Sequence, residues 1–219
     1  MTTKGGADMK ERPILFSGEM VRAILAGSKT QTRRVIKPKP LWVYDSKVPV
    51  KTEDADPKGA IKCPYGQPGD RLWVRETHRA MIRGSECVPG WVPQMEFRAD
   101  RKCFDLPPIC ISEWQKMKTD GNWRPSIFMP RWASRISLEI TGVRVERVQE
   151  ITEEDSRAEG IIDGGCLNCG KSEPCGCANP EPDARDAFIW LWNSINEKRG
   201  FGWDANPWVW VVEFRRERT

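Results

Sequence analysis

"AGSKTQTRR", residues 26–34, decides how the first half of the chain is read. Before it stands "RPILFSGEMVRAILAG", a short strand leading into a helix. Met20, Val21, Ile24 and Leu25 recur at helical spacing, and Gly27 is placed to stop the helix. "KTQTRRVI" then resumes as extended chain. From Met20 to Tyr44 the sequence carries Arg22, Lys29, Arg33, Arg34, Lys37 and Lys39, with no Asp or Glu. The whole chain of 219 residues balances Lys+Arg 35 against Asp+Glu 31, a net charge of only +4. Cations and hydroxyls are thus gathered around one turn, as suits a phosphate or nucleotide site and also a solvated loop. Lys29 and Thr32 sit three apart and would face opposite sides of a straight strand. They converge only if the chain bends just after Gly27.

Working outward, "DRLWVRET" alternates Leu72 and Val74 against Arg71 and Arg75, the pattern of a half-buried strand. "SRISLEITGVRVERV" is the longest strand pattern, with Gly142 a candidate bulge. In "ITEEDSRAEGI", Thr152 can cap a short helix with Asp155 at the reciprocal position of a capping-box-like arrangement. A helix "DARDAFIWLWNSIN" and a final strand "PWVWVVEFRR" follow, the latter with Trp208, Trp210, Val212 and Phe214 on one face. Strands spread along the chain with short helices between them predict an α+β fold, mostly antiparallel and barrel-like rather than doubly wound. Residues 79–130, with weak strands such as "MEFRAD" and a short "ISEWQKM" helix, read as an elaboration of the core.

The start, "MTTKGGADMKERP", lacks an apolar signal core, and no run approaches the ~18 apolar residues of a membrane span. The expectation is a soluble, cytoplasmic protein without a membrane partner. His78 is the only histidine, so a His-rich catalytic metal site is excluded. "CLNCGKSEPCGC" sets Cys166, Cys169, Cys175 and Cys177 in a C-x2-C-x5-C-x-C array, which suits one closed, structural zinc site. The alternative is a loop with free thiols.

Gly27, Lys29, Thr32 and Arg34 form the pattern Gly-x-Lys-x-x-Thr-x-Arg, which resembles the signature of the ASCH domain family. Three further pieces agree in order: "QPGDRLWVRE", "ISLEITGVRVERVQEITEEDSRAEGI" and "WVWVVEFRR". The resemblance covers roughly residues 13–36, 67–76, 133–161 and 206–215. It implies a PUA-like β-barrel associated with RNA, and the longer form seen here is similar to proteins carried by phages and prophages. It also implies one domain over 1–219, with its core at about 13–36, 67–76, 133–161 and 183–215. Insertions would occupy 37–66 and 79–130, and the cysteine loop 162–182. Small bacterial members hydrolyse N(4)-acetylcytidine to cytidine and acetate. Matching residue by residue, the resemblance gives Lys29, Thr32 and Glu159 as the catalytic set. Other members cleave RNA, so a ribonuclease, or a non-catalytic module for RNA or single-stranded nucleic acid, stands as the alternative.

That chemistry is coherent with the residues. Thr32 supplies a hydroxyl, and Lys29 can activate it if its pKa is pulled down by burial or by Arg33 and Arg34 nearby. Glu159 can orient the lysine or pass a proton to the leaving amine. Arg33 and Arg34 are candidates to bind substrate, as are Arg75, the second-choice carboxylate Glu76, and Trp73, Trp132 and Tyr65 as platforms for a base. Arg131 and Arg135 would extend a phosphate-binding surface, and His78 would be a pocket acid. For each the bland reading is core packing or a surface ion pair.

Overall fold

The structure, a computed structural model, describes residues 9–37, 42–44, 49–51, 62–83, 92–105, 116–117, 121–161, 168, 176, 178 and 184–217. Its strands are β1 (Glu11–Leu15), β2 (Gln31–Val35), β3 (Trp42–Tyr44), β4 (Pro49–Lys51), β5 (Arg71–Arg75), β6 (His78–Arg83), β7 (Val92–Phe97), β8 (Cys103–Asp105), β9 (Ser137–Arg147) and β10 (Trp208–Arg216). The helices are α1 (Gly18–Ala26), α2 (Glu153–Ala158) and α3 (Ala184–Asn196).

Helix α1 has both of its expected ends. The Ser17 side chain accepts a hydrogen bond from the Met20 amide, and Gly27 turns left-handed at φ 84° to close the last turn. Its buried face is Val21 and Ile24. These pack against a cluster that includes Phe16, Leu72, Val74, Leu138, Ile140, Val212 and Phe214. Trp210 joins that cluster and Trp208 packs beside it, so β10 buries the face its alternation predicts. The other face of β10, Val209 and Val211, packs with Val148, Ile151 and the α3 residues Phe188 and Trp192.

The main sheet runs β1-β5-β9-β10-β2. All its pairs are antiparallel except β1 with β5, which is parallel. Between Gly142 and Ile140 the β9–β10 register slips opposite Glu213 and Phe214, as the glycine suggests. A side chain at Gly142 would meet Glu213 Oε2 at 2.5 Å. The fold is therefore mixed α+β and mostly antiparallel. Among the described strands the ladder does not close into a barrel: β1 and β2 are its two edges, with no strand pairing between them. The edges still approach, because Arg34 Nη2 donates to the Leu15 carbonyl at 2.6 Å.

Two smaller sheets stand apart from it, β3-β4 and β6-β7-β8. The second has a small core of its own, Ala80, Met95, Phe97, Met129 and Ala133, with Trp132 against it, so the expected elaboration at 79–130 packs together with the residues just after it. The helix expected over 111–117 falls mostly outside the described residues, and so do Cys166, Cys169, Cys175 and Cys177. No helix among the described residues is long and apolar enough to cross a membrane.

Candidate active site

After Gly27 the chain does not enter β2 directly. The amides of Ser28 and Lys29 both donate to the Ala23 carbonyl, and the Thr30 amide donates to Ala158 at 2.8 Å. Lys29 and Glu159 form an isolated antiparallel bridge, and regular strand begins only at Gln31. This is the bend that convergence of Lys29 and Thr32 requires.

Lys29 is 2 % exposed, Thr32 3 % and Glu159 8 %. Lys29 Nζ donates to Glu159 twice, to Oε2 and to the main-chain carbonyl, each at 2.7 Å. Burial lowers the lysine pKa, Glu159 pulls it back up, and the Arg34 and Arg33 guanidiniums lower it again. The net direction is down. Glu159 caps the C-terminal end of α2, which begins where the Thr152 hydroxyl accepts from the Asp155 amide. The reciprocal half of the capping box is not made. The Asp155 carboxylate is turned instead toward Gln31 Nε2 at 3.0 Å and Arg33 Nη2 at 2.8 Å.

Arg33 holds this corner together. Its side chain is fully buried, with Glu159 Oε1 at 3.4 Å, Glu146 at 3.1 Å and Asp155 at 2.8 Å from its nitrogens. Arg144 pairs with Glu146, Asp155 and Glu213 from outside. One buried cation therefore answers carboxylates from β9, from α2 and from the residue after α2.

Thr32 and Arg34 alternate onto the other face of β2, opposite Val212 and Trp210. Thr32 and Glu159 line one cavity of about 220 Å³, with Arg33, Arg34, Lys37, Tyr65, Arg199 and the α3 side chains Phe188, Leu191, Trp192 and Ile195. Glu159 also borders a second, larger hollow of about 480 Å³ on the α1 side, which shares Met20 and Leu191 with the first. Glu159 thus borders both hollows. Within the described residues the Thr32 hydroxyl donates no hydrogen bond, and the lysine amine does not touch it.

Other candidates lie elsewhere. Trp73 and Arg75 share the face opposite Leu72 and Val74. The Arg75 and Arg131 guanidiniums sit over the Trp73 ring at 5.0 and 5.9 Å. Arg75 Nε donates to the Met129 carbonyl, and Arg131 grips Glu11. Glu76 is clamped by Arg135 at 2.8 and 2.9 Å, and Arg135 also binds Asp100. Burial raises the Glu76 pKa against the pull of Arg135. His78 is buried, with Nδ1 3.1 Å from the Glu76 carbonyl. Trp132 belongs to the small core of the second sheet. None of these residues lines the cavity beside Thr32, whereas Tyr65 does.

Sequence reasoning missed two contributors. The α3 wall is the stripe Phe188, Leu191, Trp192, Ile195, an i, i+3, i+4, i+7 pattern that reads as plain core. Gly160 is the other: its φ is +84°, and a Cβ there would stand 2.9 Å from Ala23 Cβ and 3.0 Å from Lys29 Cβ. Among the described residues no group of His, Cys, Asp and Glu is placed to hold a metal ion. Compared with family models, curated proteins and solved structures, the chain matches none.

Proposed function

We propose that the protein is an ASCH-type amidohydrolase, with a PUA-like core, that removes an acyl group from the exocyclic amine of a cytosine nucleoside. The observation that carries this reading is the buried Lys29–Glu159 pair set beside a cavity that Thr32 and Glu159 both line. A neutral amine has two N–H donors and one lone pair. With both donors held by Glu159, the lone pair is left to take a proton, and burial favours that neutral form.

In the proposed reaction Thr32 Oγ1 forms a bond to the acyl carbon while its proton passes to Lys29 Nζ. The carbon–nitrogen bond then breaks, and the proton goes from Nζ to the departing exocyclic nitrogen. Water, deprotonated in turn by Lys29, cleaves the threonine ester to release the acid and restore the hydroxyl. Glu159 orients the amine throughout.

The test is incubation with N(4)-acetylcytidine and detection of cytidine and acetate, with Thr32→Ala beside the native chain. The proposal expects product from the native chain and a loss on the order of a hundred-fold or more in the variant. Undiminished turnover by Thr32→Ala, or none by the native chain, would count against it.

A further inference from the structure

The cavity beside Thr32 is unevenly charged. Among the described residues Glu159 is the only carboxylate in its lining, and Lys29 and Arg33 already answer it. Lys37, Arg199 and Arg34 line the same space with no acidic partner there. Among the described residues Arg199 Nη1 reaches only the neutral Asn196 Oδ1, at 3.4 Å. Arg34 and Arg199 line this hollow together with Tyr65, the first from β2 and the second from the turn after α3.

Distance along β2 orders these groups. At ~3.3 Å per residue, Arg34 stands roughly 7 Å beyond Thr32 on the same face, and Lys37 lies further on. Reacting groups are therefore at one end of the cavity and unanswered cations at the other. A neutral nucleoside would leave those cations without an anion. A phosphate would meet two or three of them, together with the Tyr65 hydroxyl.

We propose that Lys37, Arg199 and Tyr65 form a phosphate subsite, and that the substrate is a cytosine mononucleotide, acylated on its exocyclic amine, rather than a free nucleoside. This rests on the hydrolase reading for the reaction, though not for the binding. The small cavity favours a mononucleotide over a polynucleotide.

Two measurements keep the failures apart. Calorimetry with cytidine, cytidine 5′-monophosphate and a short cytosine-containing oligonucleotide reads the subsite without any reaction. The monophosphate should bind at least tenfold tighter than cytidine, weaken with salt, and lose that advantage in the Lys37→Ala/Arg199→Ala double variant. Turnover of N(4)-acetylcytidine against its 5′-monophosphate should show the same preference in kcat/KM, again falling toward one in the double variant. Equal binding of cytidine and its monophosphate, or a preference untouched by the double variant, overturns the subsite and leaves the hydrolase reading standing. Tighter binding of the oligonucleotide than of the monophosphate overturns the choice of a mononucleotide. Preferred binding of the monophosphate with no turnover of either acylated compound keeps the subsite and removes the hydrolase.

Discussion

At the scale of single residues, the site depends on how tightly Lys29 is enclosed. Gly160 shows the margin. It occupies a left-handed conformation, and its α-carbon lies against the lysine stem and Ala23. Gly160→Ala would add both backbone strain and a clash, at about 1–3 kcal/mol. Thermal or urea unfolding should show that loss, and hydrolysis should fall further than stability because the lysine is what the new methyl displaces. A variant as stable and active as the native chain would mean that the corner is loosely packed. Lys29 and Thr32 were legible in the sequence as part of a local pattern just after a helix-stopping glycine, and Glu159 only through the family resemblance. Gly160 was not, because its neighbours come from α1 and the 28–30 turn. Trp73 and Arg75 were misplaced for a related reason. Alternation fixes which residues share a face, but it does not say which face meets a cavity.

Elements are joined by buried ions as much as by apolar packing. Arg33 ties β2 to β9 and α2, and Arg135 ties the end of β5, through Glu76, to Asp100 beyond β7. Arg135 also lies over the Phe97 and Phe104 rings, so it stitches the second sheet onto the first. Arg135→Met would leave Glu76 buried and unpaired, which costs about 3–5 kcal/mol at neutral pH. The sign of its pH dependence follows from Glu76. Burial holds that carboxyl above its ordinary 4.5, so the folded state keeps a proton that the unfolded chain has lost. Stability from this group is therefore full in acid and declines as pH rises through the folded pKa. Without Arg135 the carboxyl is raised further, so the gap between native and variant stability should narrow as pH falls. A gap that is constant with pH would show that Glu76 is not the group left stranded. Helix ends, strand patterns and the bulge at Gly142 were all readable from short windows of sequence. The arginine hubs were not, since each joins residues dozens of positions apart and any of several carboxylates could have answered.

For the whole molecule, the sequence indicated an α+β fold and its antiparallel bias but not the strand order. β1 and β5 pair in parallel at one edge of the main sheet, and among the described strands the ladder stays open between β1 and β2. A two-residue period carries no information about which strand lies beside which. The same long-range arrangement makes the site. It brings the Lys29 amine, from the turn after α1, to the Glu159 carboxylate at the end of α2, 130 residues away, and sets Thr32 of β2 on the adjoining cavity. The pH profile of kcat/KM for N(4)-acetylcytidine, in the native chain and in Glu159→Gln and Lys29→Ala, tests that convergence most directly. As the proposed base Lys29 must be neutral, so the native profile should rise with pH through a midpoint below the ordinary lysine value of 10.5. Glu159 holds the lysine pKa up, so Glu159→Gln should move the rising limb toward acid while lowering the plateau, and Lys29→Ala should abolish it. A profile that keeps its limb in Lys29→Ala, or does not move in Glu159→Gln, would contradict the account.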